Sequence, residues 1–195
     1  AQMDRELPEM GSSVHARIAR LQYVPALLSS GRLTNARELV AALRRDEELR
    51  SEPTLLSWVS LYEAELAVGH DAALALAAAG RAKDGLAEGE YDDERSHAWL
   101  IEIRMLRVLR RNEDAASEVR KFGAWADERQ SPRPLLRAHL AAAEQAWAGG
   151  RRDAASELYD IALHAAHERG IPADIAEVAI SYGNLLIDSS DLTRA

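Results

Sequence analysis

The chain has 195 residues, 24 Lys and Arg against 32 Asp and Glu, a formal net charge of −8 and a pI near 5.3. It contains no cysteine, which excludes disulfide scaffolds, thiolate zinc sites, iron–sulfur clusters and cysteine nucleophiles. With 47% hydrophobic and 29% charged residues the chain can bury a core, while its acidity argues against direct nucleic-acid binding. No apolar run is long enough to span a bilayer, and Ala1-Gln2-Met3-Asp4 lacks the features of a signal peptide, so a cytoplasmic location without membrane contact is the expectation.

Ala, Leu, Arg and Glu are plentiful and β-branched and aromatic residues sparse, so helix is expected nearly everywhere. Residues 1–12 read as an N-terminal extension. Breaks rich in Gly, Pro, Ser, Asn and Asp then separate helices predicted over 13–29, 34–49, 53–68, 71–87, 93–110, 113–129, 132–148, 152–169 and 172–188, with a tenth starting near Leu192. Ser51 precedes Pro53, and Ser131 before Pro132 offers a capping oxygen followed by a first-turn proline. Gly170 followed by Pro172 stops one helix and opens the next. Links this short favour antiparallel hairpins. Arg104, Arg107, Arg110 and Arg111 have the spacing of one helical face.

The segments repeat. Tyr23 to Ala36 (YVPALLSSGRLTNA) aligns without a gap with Tyr182 to Ala195 (YGNLLIDSSDLTRA), matching at Tyr23/Tyr182, Leu27/Leu186, Ser30/Ser189, Leu33/Leu192, Thr34/Thr193 and Ala36/Ala195. Asp114-Ala115-Ala116-Ser117-Glu118 recurs as Asp153-Ala154-Ala155-Ser156-Glu157. Small residues at Ala36, Ala73, Ala115 and Ala154 recur at 37 to 42 residues, the period of helical hairpin repeats.

On these residues the chain resembles the tetratricopeptide repeat family. Trp58 and Trp99 occupy its early aromatic position, Tyr182-Gly183 its large–small pair, and Leu27, Leu106 and Leu186 its next apolar position. Ala36, Ala115 and Ala154 follow the turn, then Val40, Val119 and Leu158, then Leu43, Phe122 and Ile161. The periods exceed the family's usual length, and Ala138-Ala141-Ala142 replaces the bulky signature of the fourth unit. The chain is equally similar to the longer repeats of the large ATP-binding LuxR-type transcriptional regulators. The resemblance implies an all-α, right-handed superhelical array of antiparallel hairpins over residues 13–195, about four and a half hairpins with the last truncated. It also implies a part of a longer protein, in which apolar surface left at the open end would favour a homodimer.

The implied function is a non-enzymatic scaffold that binds a protein or peptide in the concave groove of the first helices. The alternative is an effector-sensing repeat domain of a LuxR-type regulator. By the family's concave positions the groove is lined by Glu63, His97, Arg104, Arg107, His139, Trp147 and Asn184, with Leu100 and Ala143 between them. Trp58, Trp99, Tyr23 and Tyr182 are assigned to packing. Leu21, Pro25, Val59 and Glu63 stand where chaperone-tail clamps carry Lys and Asn, which argues against that ligand. His164, His167 and Glu168 share a helix without a third ligand nearby, and no phosphate loop, nucleophile elbow or paired acid and base is found. No enzyme activity, metal or cofactor is expected.

Overall fold

The computed structural model describes residues 14–87 and 90–188. Among them the protein is all helical, with no strand. The helices are α1 (Val14–Ser29), α2 (Leu33–Arg45), α3 (Pro53–Ala67), α4 (Ala72–Gly85), α5 (Asp92–Val108), α6 (Asn112–Arg129), α7 (Pro132–Ala148), α8 (Arg152–Arg169) and α9 (Pro172–Asp188), with a 3-10 turn at Leu49–Ser51. The expected tenth helix lies outside the described residues. The chain divides into two compact units between Leu109 and Arg110.

The helix boundaries are periodic. Helices α3, α5, α7 and α9 begin at residues 53, 92, 132 and 172, and helices α2, α4, α6 and α8 begin at 33, 72, 112 and 152, so both series step by 39, 40 and 40 residues. Proline opens three of the first series, where its missing N–H is no loss. The turns repeat as well: Gly31, Arg110 and Gly150 precede second helices with φ of 70°, 62° and 75°, while Gln130 and Gly170 precede first helices at 53° and 63°. A left-handed residue ends a helix by releasing its last carbonyls to the turn; Gly170 donates its N–H to the carbonyls of Ala166 and His167.

The fourth residue of each second helix is a fully buried alanine: Ala36, Ala75, Ala115 and Ala155. Its N–H reaches back to the carbonyl of Arg32, Asp71, Arg111 or Arg151. Two of these differ from the sequence expectation of Ala73 and Ala154. In α8 the shared Asp-Ala-Ala-Ser-Glu string misleads, because the helix starts one residue later relative to it than α6 does. Its inward stripe is accordingly Ala155, Tyr159 and Ala162, and Ile161 is 49% exposed.

In the N-terminal unit, Leu21 and Val24 of α1 meet Val40 and Leu43 of α2, with Leu49, Val59 and Tyr62 completing one cluster. A second joins Leu61 and Ala64 of α3, Ala75, Ala78, Ala79 and Ala82 of α4, and Ala98, Ile101 and Met105 of α5. The alanines let α4 lie close to its neighbours. A Cβ at Gly85 would collide with the Ser57 hydroxyl. Helices α3 and α4 run antiparallel, since Glu63 pairs with Arg81 and Ser57 sits under Gly85. Helices α3 and α5 run parallel: Trp58 meets Tyr91 edge-on at 5.9 Å, and Glu65 meets His97 at 3.3 Å.

Helix α2 ends at Arg45, earlier than expected. Asp46 accepts the N–H groups of Glu48 and Leu49 and pairs with the buried Arg17 at 2.8 Å, which turns the chain out of the helix. Burial draws the Asp46 carboxyl upward, but the Arg17 guanidinium and those two N–H groups outweigh it and hold it below the usual range. Helix α5 ends at Val108, so Arg110 and Arg111 leave the face carrying Arg104 and Arg107; Arg111 pairs with Asp114 instead. Ser131 occupies the N-cap position of α7 without a capping bond, and the Ser51 hydroxyl donates to the Glu48 carbonyl inside the 3-10 turn.

In the C-terminal unit α6 packs on α7, α7 on α8 and α8 on α9. Helices α7 and α9 run parallel, joined by Arg133–Asp174 at 3.1 Å, Arg137–Glu177 at 3.5 Å and Glu144–Ser181 at 2.9 Å. Tyr159 of α8 stacks on Tyr182 of α9 at 4.6 Å with planes 6° apart.

Candidate functional site

The residues expected to line a groove fall in both units. In the N-terminal unit, Arg104 and Arg107 lie three apart on α5 and are half-buried, each engaged by neighbouring groups. His97, two to three turns earlier, is held by its Nδ1 against Glu65 of α3. Glu65 was not foreseen as part of this face, although its place two residues after Glu63 puts it on the opposite side of α3. Glu63 itself turns the other way: its carboxylate sits between Arg44 of α2 at 3.5 Å and Arg81 of α4 at 3.1 Å. Leu100 is fully buried and is a core residue, because its face of α5 is packed rather than open.

In the C-terminal unit, His139 and Trp147 are half-buried on α7 and Asn184 is exposed on α9. The Arg152 guanidinium lies over the Trp147 ring, 5.6 Å from its centroid, so this indole is partly covered by a cation. His139 keeps Nδ1 buried without a hydrogen-bond partner. Ala143 is fully buried and lines no surface, for the same reason as Leu100.

The packing assignments stand unevenly. Trp99 is buried between Lys83 and Arg95, which both approach its ring, whereas Trp58, Tyr23 and Tyr182 are half-buried. Tyr62, not singled out in the sequence, is buried, and burial together with the Glu65 and Glu94 carboxylates pushes its phenol upward.

One further feature was missed altogether. Arg44 and Arg45 at the end of α2, Arg50 in the 3-10 turn and Arg81 on α4 line a cleft of about 500 Å³ in the N-terminal unit. Leu56, Ser57 and Ser60 of α3 complete its lining. The Ser60 hydroxyl accepts a hydrogen bond from Arg44 Nη1 at 3.3 Å, and Ser57 donates to the Pro53 carbonyl at 2.8 Å. These arginines come from three elements, so no local spacing announces them. Among the described residues no group of three or more His, Asp or Glu is arranged to hold a metal ion, and no helix is long and apolar enough to cross a membrane. No family model, no curated protein and no solved structure matches this chain.

Proposed function

We propose that the chain is a non-enzymatic binding module, a right-handed stack of tetratricopeptide-like hairpins that takes a protein or peptide on the face of its first helices. The observation that carries this reading is the 39- and 40-residue step shared by both helix series. It is supported within each unit by alternate helices that run parallel and touch, α3 with α5 and α7 with α9, since hairpins stacked in register bring every first helix beside the next. Arg104 and Arg107 supply cations for an acidic partner segment.

The test is binding of wild type and of Arg104→Glu/Arg107→Glu to an array of immobilised acidic peptides. The charge reversal is expected to abolish capture of the peptides that wild type retains, with helicity unchanged. Undiminished capture by a folded variant refutes the assignment. A period of 40 rather than 34 favours a second reading, the effector-sensing repeat domain of a LuxR-type regulator. That reading expects small solutes rather than peptides to raise the melting temperature.

A further inference from the structure

Folding alone gives no reason to gather four guanidinium groups around one cleft. Like charges held together raise the energy of the folded state, and this chain has carboxylates in excess with which to separate them. Yet Glu63 is the only carboxylate among the described residues that pairs with any of the four, and it is shared by Arg44 and Arg81. The guanidinium groups of Arg45 and Arg50 are exposed and have no partner among the described residues. Four positive charges against one negative leave three in excess at this one place.

Such a site has a chemical complement. The planar fork of arginine matches the oxygens of a phosphoryl group, and charge-assisted bonds of this kind are the strong ones. A single carboxylate would offset one of the three excess charges, whereas a phosphoryl dianion or a diphosphate offsets two or three. Ser60 adds a donor, because its oxygen accepts from Arg44 and its proton has no acceptor among the described residues. The space of about 500 Å³ falls in the range of small-molecule sites and exceeds what one phosphate fills, and Leu56 adds an apolar side chain to its lining. A nucleic-acid strand would require cations continuing beyond the cleft, on a chain whose net charge is −8.

We propose that this cleft binds a small phosphorylated molecule carrying at least two negative charges. Arg45 and Arg50 hold its phosphoryl oxygens together with Arg44, Arg81 and Ser60, and its organic body rests on Leu56. The site is separate from the partner-binding reading, since neither Arg104 nor Arg107 lines the cleft, and the failure of one leaves the other standing.

The experiment is calorimetric titration of the full chain with adenosine diphosphate, inorganic pyrophosphate and adenosine at about 0.15 M salt, where long-range attraction is screened. The two phosphorylated probes are expected to bind and adenosine is not. Arg45→Gln/Arg50→Gln, which breaks no hydrogen bond or ion pair among the described residues, should weaken both phosphorylated probes by at least about tenfold with unchanged helicity. Arg37→Gln, an exposed arginine of α2 outside the cleft, should change them by less than about twofold. Tighter binding of the nucleotide than of pyrophosphate supports the contact of its organic body with Leu56, whereas binding no tighter than that of pyrophosphate overturns that contact and leaves the phosphoryl site alone standing. Failure of both phosphorylated probes to bind, equal binding of adenosine, or an Arg37→Gln loss as large as that of the double variant overturns the site itself.

Discussion

Replacing Asp174 by alanine tests what holds the C-terminal unit together. Its side chain is 1% exposed and lies at the start of α9, where the helix dipole favours a negative charge. Arg169 of α8 donates to it at 2.8 Å, and Arg133 of α7 stands at 3.1 Å, at ion-pair distance without hydrogen-bond alignment. One carboxylate thus ties three helices. Breaking a fully buried pair costs about 3–5 kcal/mol. Here the arginines left behind are 21% and 29% exposed and can recover water, which places the loss near the lower bound, about 3 kcal/mol. Arg169→Ala leaves the buried Asp174 carboxylate facing only the unaligned Arg133 and should cost a similar amount, about 3 kcal/mol. Urea unfolding followed by circular dichroism measures these values. The Asp174→Ala/Arg169→Ala double variant should be little worse than Asp174→Ala alone, because both remove the same bond. A loss below about 1 kcal/mol for Asp174→Ala, or additivity of the two, would refute the account.

Three further outcomes are expected. Arg110→Gly and Gln130→Gly each relieve a left-handed residue of its Cβ and should stabilise the chain by about 0.5–1 kcal/mol in the same assay, less at Gln130 because its side chain also bonds the Asp127 carbonyl. Trp99→Ala should cost about 3–5 kcal/mol, seen as a lower urea midpoint, since the indole is buried between α4 and α5 groups. The Asp46 carboxyl is held below its unfolded value, so its stabilisation is fully present above about pH 4 and is lost as pH falls through the lowered folded value. As pH falls below about 4 wild type should therefore lose more stability than Asp46→Asn, whose own deficit is constant with pH.

Most helix boundaries were legible because their causes are local. Pro53, Pro132 and Pro172 open helices, Gly170 closes one, and the predicted spans of α6 to α9 match those observed to within a residue. The misses have non-local causes. Asp46 ends α2 by accepting the N–H groups of Glu48 and Leu49 while its other oxygen is held by Arg17, 29 residues away. The inward register of α8 is set by where the helix starts against α7 and α9, and identical letters in two repeats carry no information about that. The sites divide in the same way. A row such as Arg104 and Arg107 can be read from the spacing on one helix, whereas the cleft is made by Arg44, Arg50 and Arg81, which become neighbours only when α2 and α4 pack against α3. The family pattern puts Glu63 in the groove, whereas Arg44 of α2 and Arg81 of α4 hold its carboxylate toward those helices.

The step of 40 residues also has a kinetic meaning. The polar contacts between helices described above reach across as few as 5 residues, from Arg169 to Asp174, and as many as 41, from Arg133 to Asp174. Closing loops of this size takes less entropy than joining distant parts of a chain, and topologies with such near-neighbour pairing fold quickly. A ribosome releases forty residues in about 2–8 s, whereas a helix forms within microseconds. Within each unit a helix can thus meet its packing neighbour almost as soon as that neighbour emerges, and few apolar faces are left waiting.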